Sequence, residues 1–212
     1  MGTGFYQSYD RMIRQACPDY DYCLRLIATS IPPNISSILD LGSGTGNLAG
    51  LILKNHPRIK FYGIELRPQL VRLATSRLRR RNVRFIKGDI LKVDWPKAEC
   101  VTSSLTIHHF TDAEKERTFR KIYNSSNHFF YYDRLKGSSY EEDKHNLDFL
   151  FEHMSKNGLS KETIKAAKVE MEENDNPLTK EQLNQMLKRI GFNYRILYLK
   201  KGLGVYHCTR KE

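Results

Sequence analysis

The chain has 212 residues, with 35 Lys and Arg against 24 Asp and Glu, and a formal net charge of +11. One domain of this length buries roughly 70% of its unfolded surface, so it needs no covalent staples; the scattered Cys17, Cys23, Cys100 and Cys208 fit neither a redox pair nor a zinc knuckle and read as reduced, buried thiols of a cytoplasmic protein. No apolar run of about 18 residues occurs, which excludes a transmembrane helix, and the N-terminus lacks the apolar core of a secretory signal.

In chain order, Ser36–Gly42 is a short apolar run ending in glycine, and a helical pattern follows from Thr45 to about His56. A second run, Lys60–Leu66, leads into Arg67-Pro68 and an amphipathic stretch to about Arg81; Pro68 suits a first helical turn, where its missing N–H costs nothing. Val83–Asp89 and Glu99–Leu105 are the third and fourth runs. Strands alternating with helices predict a parallel sheet.

Thr111-Asp-Ala-Glu114 is a capping box for a helix through about Tyr123, and His128–Leu135 reads as a fifth strand. Residues 138–174 are charged and helical, with Leu147, Leu150, Phe151 and Met154 forming one stripe and Gly158 closing the first of two helices. This pair is expected to cover the carboxyl edge of the sheet. Thr179-Lys-Glu-Gln182 caps a last helix that stops at Gly191, and Tyr194–Lys200 and Val205–Arg210 form a hairpin about Lys201-Gly202-Leu203-Gly204.

The most informative segment is Ile38-Leu-Asp-Leu-Gly-Ser-Gly-Thr-Gly46, between a strand and a helix. Its glycines let the backbone turn and approach a ligand, and the following helix N-terminus offers free N–H groups. A dinucleotide loop requires a third glycine where Asn47 stands, so that pattern fails. Asp40, two positions before Gly42, favours a cationic ligand instead. Glu65 ends the second strand, where an acid accepts ribose hydroxyls. Asp89 ends the third and is placed for an adenine amine, with Ile90 over the ring. Three acids thus converge on adjacent strand ends.

Asp40-Leu-Gly-Ser-Gly-Thr-Gly46, Glu65, Gly88-Asp89 and Ser103-Ser-Leu-Thr-Ile-His-His-Phe110 together resemble the successive motifs of class I S-adenosylmethionine-dependent methyltransferases. The His-His fourth motif, the Thr-Asp-Ala-Glu-Lys helix and Asp133-Arg134 resemble a small-domain subgroup related to the carboxy-S-adenosylmethionine synthases. Those synthases have different first and fourth motifs, which favours ordinary methyl transfer. The resemblance spans most of the chain. It implies a single domain over 1–212, Rossmann-like, with a seven-stranded, mostly parallel sheet and an antiparallel last strand. It also implies an N-terminal helical segment, 1–30, over the cofactor.

The resemblance further implies Gly42, Ser43 and Gly44 against the methionine part of S-adenosylmethionine, Glu65 on the ribose, Leu66 and Ile90 on the adenine faces and Asp89 on its amine. Ser104 would border the sulfonium. Tyr20 matches a position that folds over the cofactor, with Arg14 a weaker counterpart; a half-buried tyrosine packing a helix is the equal alternative.

A sulfonium is already a strong electrophile, so the enzyme's main task is to align the acceptor and exclude water. If the nucleophile carries a proton, His108 and His109 are the best-placed bases; one packing on the cofactor and the other ordering its loop is the structural alternative. Asp133 is a further candidate base, or pairs with Arg134, or caps a helix. No metal site is expected: Glu141-Glu142-Asp143 reads as a solvated helix start. The fourth motif lacks the Pro-Pro-aromatic signature of amide and exocyclic-amine methylation, and Cys100 lies at the wrong end of its strand to be a cytosine nucleophile.

The charge surplus sits mainly in the first half, 16 basic against 8 acidic residues over 1–106 and 19 against 16 over 107–212. Arg77, Arg79, Arg80, Arg81, Arg84 and Lys87 form either a phosphate-binding surface for tRNA or a solvated helix end. The expected partner is a small-molecule acceptor and the expected assembly a monomer or homodimer without a membrane. RNA modification, or a cofactor-binding module without catalysis, are the alternatives.

Overall fold

Strand β5 (His128–Arg134) shows how the centre of the fold is built. Phe129 and Tyr131 enter one hydrophobic cluster and Phe130 and Tyr132 the other, because successive side chains of a strand point to opposite faces. A strand with both faces covered by helices reads as a continuous apolar run. The computed structural model describes residues 4–210; residues 1–3 of the expected 1–30 segment, and 211–212, lie outside it.

Beside β5 stands β4 (Cys100–Ser104), then β1 (Ser37–Leu41), β2 (Lys60–Glu65) and β3 (Val83–Lys87), all parallel. On the other side β7 (Leu203–Arg210) pairs antiparallel with β5, and β6 (Phe192–Lys200) forms the outer edge, giving the order β3-β2-β1-β4-β5-β7-β6. The chain reverses direction of travel across the sheet between β1 and β4. Open α/β sheets bind ligands at the carboxyl ends of strands at such a switch point.

On one face lie α2 (Tyr20–Ser30) and α3 (Asn47–Asn55), whose Leu24, Ile27, Ile52 and Leu53 are buried against Phe61, Phe130 and Tyr132. On the other lie α5 (Asp112–Ser125) and α8 (Lys180–Ile190), with Phe119, Ile122, Leu183 and Leu187 against Phe129 and Tyr131. Both expected capping boxes form, and Gly191 takes φ 114 to end α8.

Three expected boundaries shift. The helix after Pro68, α4 (Pro68–Arg77), ends four residues early, so Arg79–Arg81 lie in a turn rather than on a helix. The helix expected from Thr45 begins at Asn47. The hairpin closes through two residues, Lys201 (φ 47) and Gly202 (φ 74), and positive φ at both is the type I′ turn that matches strand twist. The segment 138–174 forms α6 (Tyr140–Lys156) and α7 (Lys161–Asn174), with Gly158 at φ 83 between them. α1 (Gly4–Ala16) leads into α2.

All four cysteines are free and buried. No helix among the described residues is long and apolar enough to cross a membrane.

Candidate functional site

A cavity of about 670 Å³ opens at the carboxyl ends of β1, β2 and β4, within the range of small-molecule sites. The glycine loop after β1 forms its floor. Gly42, Gly44 and Gly46 all have positive φ, the region L-residues avoid. A Cβ at Gly42 would overlap the Thr106 side chain, whereas one at Gly44 would meet nothing within 4 Å. Gly44 therefore faces open cavity.

Asp40, one residue before the end of β1, is buried, its Oδ1 accepting the Thr102 hydroxyl at 2.7 Å. Burial pushes its carboxyl up to about 7, against the opposing effect of the Thr102 bond. Glu65 accepts the backbone N–H of Gly44 at 3.0 Å with one oxygen and that of Arg67 at 2.8 Å with the other. A carboxylate has about four lone-pair sites, so acceptor capacity remains for a ligand. Asp89 accepts the N–H of Leu91 at 2.9 Å, and Ile90 beside it is buried while Leu66 is exposed. The buried hydroxyl oxygens of Ser43 and Ser104 have no hydrogen-bond partner, an unusual state for buried polar atoms. Leu105, next to Ser104, holds φ 51, a strained value for a bulky residue.

Twelve residues singled out from the sequence border this one cavity: Tyr20, Asp40, Gly42, Ser43, Gly44, Glu65, Leu66, Asp89, Ile90, Ser104, His108 and His109. Arg14 does not; its guanidinium lies 5.9 Å from the Tyr20 ring and binds Asp21 at 3.0 Å.

The far wall comes from α1, α6 and α7, through Ile13, Leu150, Met154, Ala167 and Met171. Between the two walls the turn Ile107–His109 brings a polar corner together. Asp133, fully buried at the end of β5, accepts the backbone N–H of His108 at 3.0 Å and hydrogen-bonds its ring Nδ1. The sequence offers Asp133 as a base, as a partner of Arg134 or as a helix cap. Instead the Arg134 guanidinium binds Asp175 at 2.8 Å. Asp175 lies 3.0 Å from His109 Nδ1 and 3.5 Å from His108 Nε2. Its hydrogen bond to His109 raises that imidazole above its ordinary value, outweighing burial.

Several site residues carry no local sequence signal. Asp175 follows α7 and is placed by its neighbour, since Asn176 N–H donates to the His108 carbonyl at 2.7 Å and Lys115 Nζ reaches the Asn176 carbonyl from a buried position. Asp10 on α1 accepts the Thr45 hydroxyl at 2.6 Å and the Asn47 amide at 3.1 Å, fastening the N-terminal helix to the glycine loop. Its other oxygen pairs with Arg77 at 2.6 Å, so the last-turn arginine of α4 is tied to α1 rather than left free for a phosphate. Arg79, Arg80, Arg81, Arg84 and Lys87 are exposed.

Residues 38–127 match a family model described as a methyltransferase domain. The chain is 24% identical over 192 residues to a carboxy-S-adenosyl-L-methionine synthase of Nautilia profundicola, covering 87% of this chain and 82% of that one. It is 31% identical over 117 residues to an uncharacterized methyltransferase of Geobacillus kaustophilus, 54% of this chain and 52% of the relative. Among solved structures, human N-acetylserotonin methyltransferase in complex with S-adenosylmethionine aligns with TM-score 0.65 and 17% identity over 98% of this chain. The chain spans 55% of that human chain. The YcgJ protein of Bacillus subtilis aligns with TM-score 0.65 and 14% identity, over 90% of this chain and 99% of that one.

Proposed function

We propose that this chain, like the methyltransferase-domain proteins it resembles, is a class I S-adenosylmethionine-dependent methyltransferase, and that it methylates a small molecule held between the glycine loop and helices α6 and α7. The observation that carries this reading is the continuity of one cavity from the acid-lined strand ends to an apolar wall on α6 and α7, with the polar corner between them.

The cofactor supplies an electrophilic methyl on a sulfonium. The residues present fit it. Glu65 and Asp89 set negative charge at the strand ends where a cation would lie, Asp40 joins them as the cation favours its ionised form, and the orphaned hydroxyls of Ser43 and Ser104 can donate to and accept from a ligand. In this reading Glu65 takes the ribose hydroxyls, Asp89 the adenine amine, Leu66 and Ile90 the ring faces, and Gly42, Ser43 and Gly44 the methionine part. Tyr20 closes over the cofactor from α2, and the N-terminal helix is held in place through Asp10.

Methyl transfer then depends on aligning the acceptor and excluding water. The apolar wall orients it. His108 and His109 form the corner where the nucleophile loses its proton if it has one. His108 is positioned by Asp133 and His109 by Asp175.

The RNA reading is the weaker one. The exposed arginines sit beside β3, at the outer edge, with β2 and β1 between them and the His108–Asp175 corner. A module without catalysis would not need two positioned histidines beside an apolar wall.

An Ala167→Trp variant tests the proposal, because Ala167 borders the cavity on α7, away from the glycine loop. It should bind S-adenosylhomocysteine like the wild type while methylation of a metabolite extract falls at least tenfold. Unchanged methylation would overturn the placement of the acceptor.

A further inference from the structure

The corner formed by His108, His109 and Asp175 gathers three potential metal-ligand atoms. The ring Nδ1 of His108 is engaged by the fully buried Asp133, so the ring proton of a neutral imidazole resides there. Its Nε2 lone pair then faces Asp175 Oδ1 at 3.5 Å, and both side chains are nearly buried, 9% and 5% exposed. His109 Nδ1 approaches the same oxygen at 3.0 Å, with the Asn174 carbonyl 3.4 Å away. One nitrogen from each imidazole and one carboxylate oxygen thus lie within 4.8 Å of one another. The His109 side chain is 45% exposed, so the cluster opens to the cavity on that side, and a cation entering there would meet a nitrogen of each imidazole and a carboxylate oxygen together.

We propose that this corner binds a divalent first-row transition ion through His108 Nε2, His109 and Asp175. Two imidazoles and one carboxylate with further positions open are the donor set of zinc and iron sites that take a substrate oxygen. The surroundings are those of a metal site. Asp133 holds the far nitrogen of one imidazole, as outer carboxylates do for metal-bound histidines, and Arg134 grips Asp175 Oδ2 at 2.8 Å, turning Oδ1 toward the rings. Asp133 and Asp175 offset the charge that Arg134 adds. The segment carrying Asp175 is stitched to the turn carrying His108 by the Asn176–His108 backbone bond, so the ligands are pre-assembled.

The inference deepens the proposed function: an ion here would coordinate the acceptor's oxygen or nitrogen and lower its pKa, so that its proton passes to solvent water at the exposed His109 side, in place of an imidazole acting as base. It departs from the sequence-based expectation of no metal, because Asp175 lies far from both histidines along the chain.

The full chain, stripped with a chelator, is titrated with Co²⁺ and then Zn²⁺, following the visible absorption of Co²⁺ and the heat of Zn²⁺ binding; S-adenosylhomocysteine binding is measured in parallel. One Co²⁺ per chain, displaced by Zn²⁺, is expected. Asp175→Asn and His109→Gln should each weaken binding at least tenfold, and Asp133→Asn, which keeps all three ligands, about 10- to 100-fold. His145→Gln, an exposed histidine elsewhere, should change nothing. Wild-type ion binding no tighter than that of a His108→Gln/His109→Gln double variant, with S-adenosylhomocysteine binding intact, would overturn the metal site and leave the cofactor site standing. Loss of S-adenosylhomocysteine binding by the wild type would instead count against the proposed function. If the double variant does not fold, nitrogen NMR of the wild-type histidine rings decides: unshifted His108 and His109 on addition of Zn²⁺ would overturn the site.

Discussion

One oxygen of the Glu65 carboxylate accepts the backbone N–H of Gly44 at 3.0 Å, tying the end of β2 to the glycine loop that follows β1. The same carboxylate holds the Arg67 N–H, so it organises the turn into α4 as well. It shapes the loop before any ligand arrives. Glu65→Ala should weaken S-adenosylhomocysteine binding by about 1–3 kcal/mol from unpaired ribose hydroxyls alone. Calorimetry checks this, and wild-type affinity would remove Glu65 from the site.

The two glycines of the loop should fail differently when replaced. Gly42→Ala forces a methyl group onto Thr106 at φ 76, and overpacking with left-handed strain destabilises folding by on the order of 2–4 kcal/mol. Gly44→Ala has open space around its Cβ, so folding loses only about 1–2 kcal/mol. Its methyl projects into the cavity, and S-adenosylhomocysteine affinity should fall by tenfold or more. Thermal melts alongside calorimetry separate the two.

Asp40 should make S-adenosylmethionine affinity depend on pH. Its carboxyl is held up to about 7 by burial, so the folded chain keeps a proton there that the unfolded chain releases near 4. Stability of the free protein therefore falls as pH rises from about 4 to 7. A bound cation favours the ionised form. S-adenosylmethionine affinity should rise between pH 6 and 8 in the wild type and stay flat in Asp40→Asn, measured by calorimetry at each pH.

His207 works in the opposite direction at the other end of the sheet. Burial, with His128 and Arg195 adjacent, lowers its imidazole from 6.5 to about 4. Its Nε2 lies 3.0 Å from His128 Nδ1 and its ring stacks on Phe130. The unfolded chain takes up this proton first, so stability is full above pH 6.5 and lost on acidification toward 4, at up to about 1.4 kcal/mol per pH unit. Urea unfolding at pH 7 and pH 5 should show a smaller loss for His207→Gln than for the wild type.

What was legible in the sequence is what local chemistry determines. Thr111 with Glu114 and Thr179 with Gln182 form their caps because both partners lie within one helical turn. The acids at strand ends were legible because a strand's last residue and its following loop fix their position. Asp175 and Asp10 were not, since each reaches the site through contacts across the chain, Asp10 to Thr45 and Asp175 to His108 and Arg134. Arg77 does sit at the helix end, but its partner was hidden for the same reason: its charge is answered by Asp10 on a distant helix. The early end of α4 was hidden by arginines, which suit a last helical turn as well as they suit a solvated one.

The central claim, methyl transfer to a small molecule under α6 and α7, is tested most directly by incubating the protein with methyl-labelled S-adenosylmethionine and a cell extract, then separating the products by size with and without ribonuclease. Label in the small-molecule fraction, unaffected by charge reversal at Arg79, Arg80 and Arg81 and lost in Ala167→Trp, is the predicted result. Label retained with RNA, sensitive to ribonuclease and abolished by that charge reversal, would contradict it.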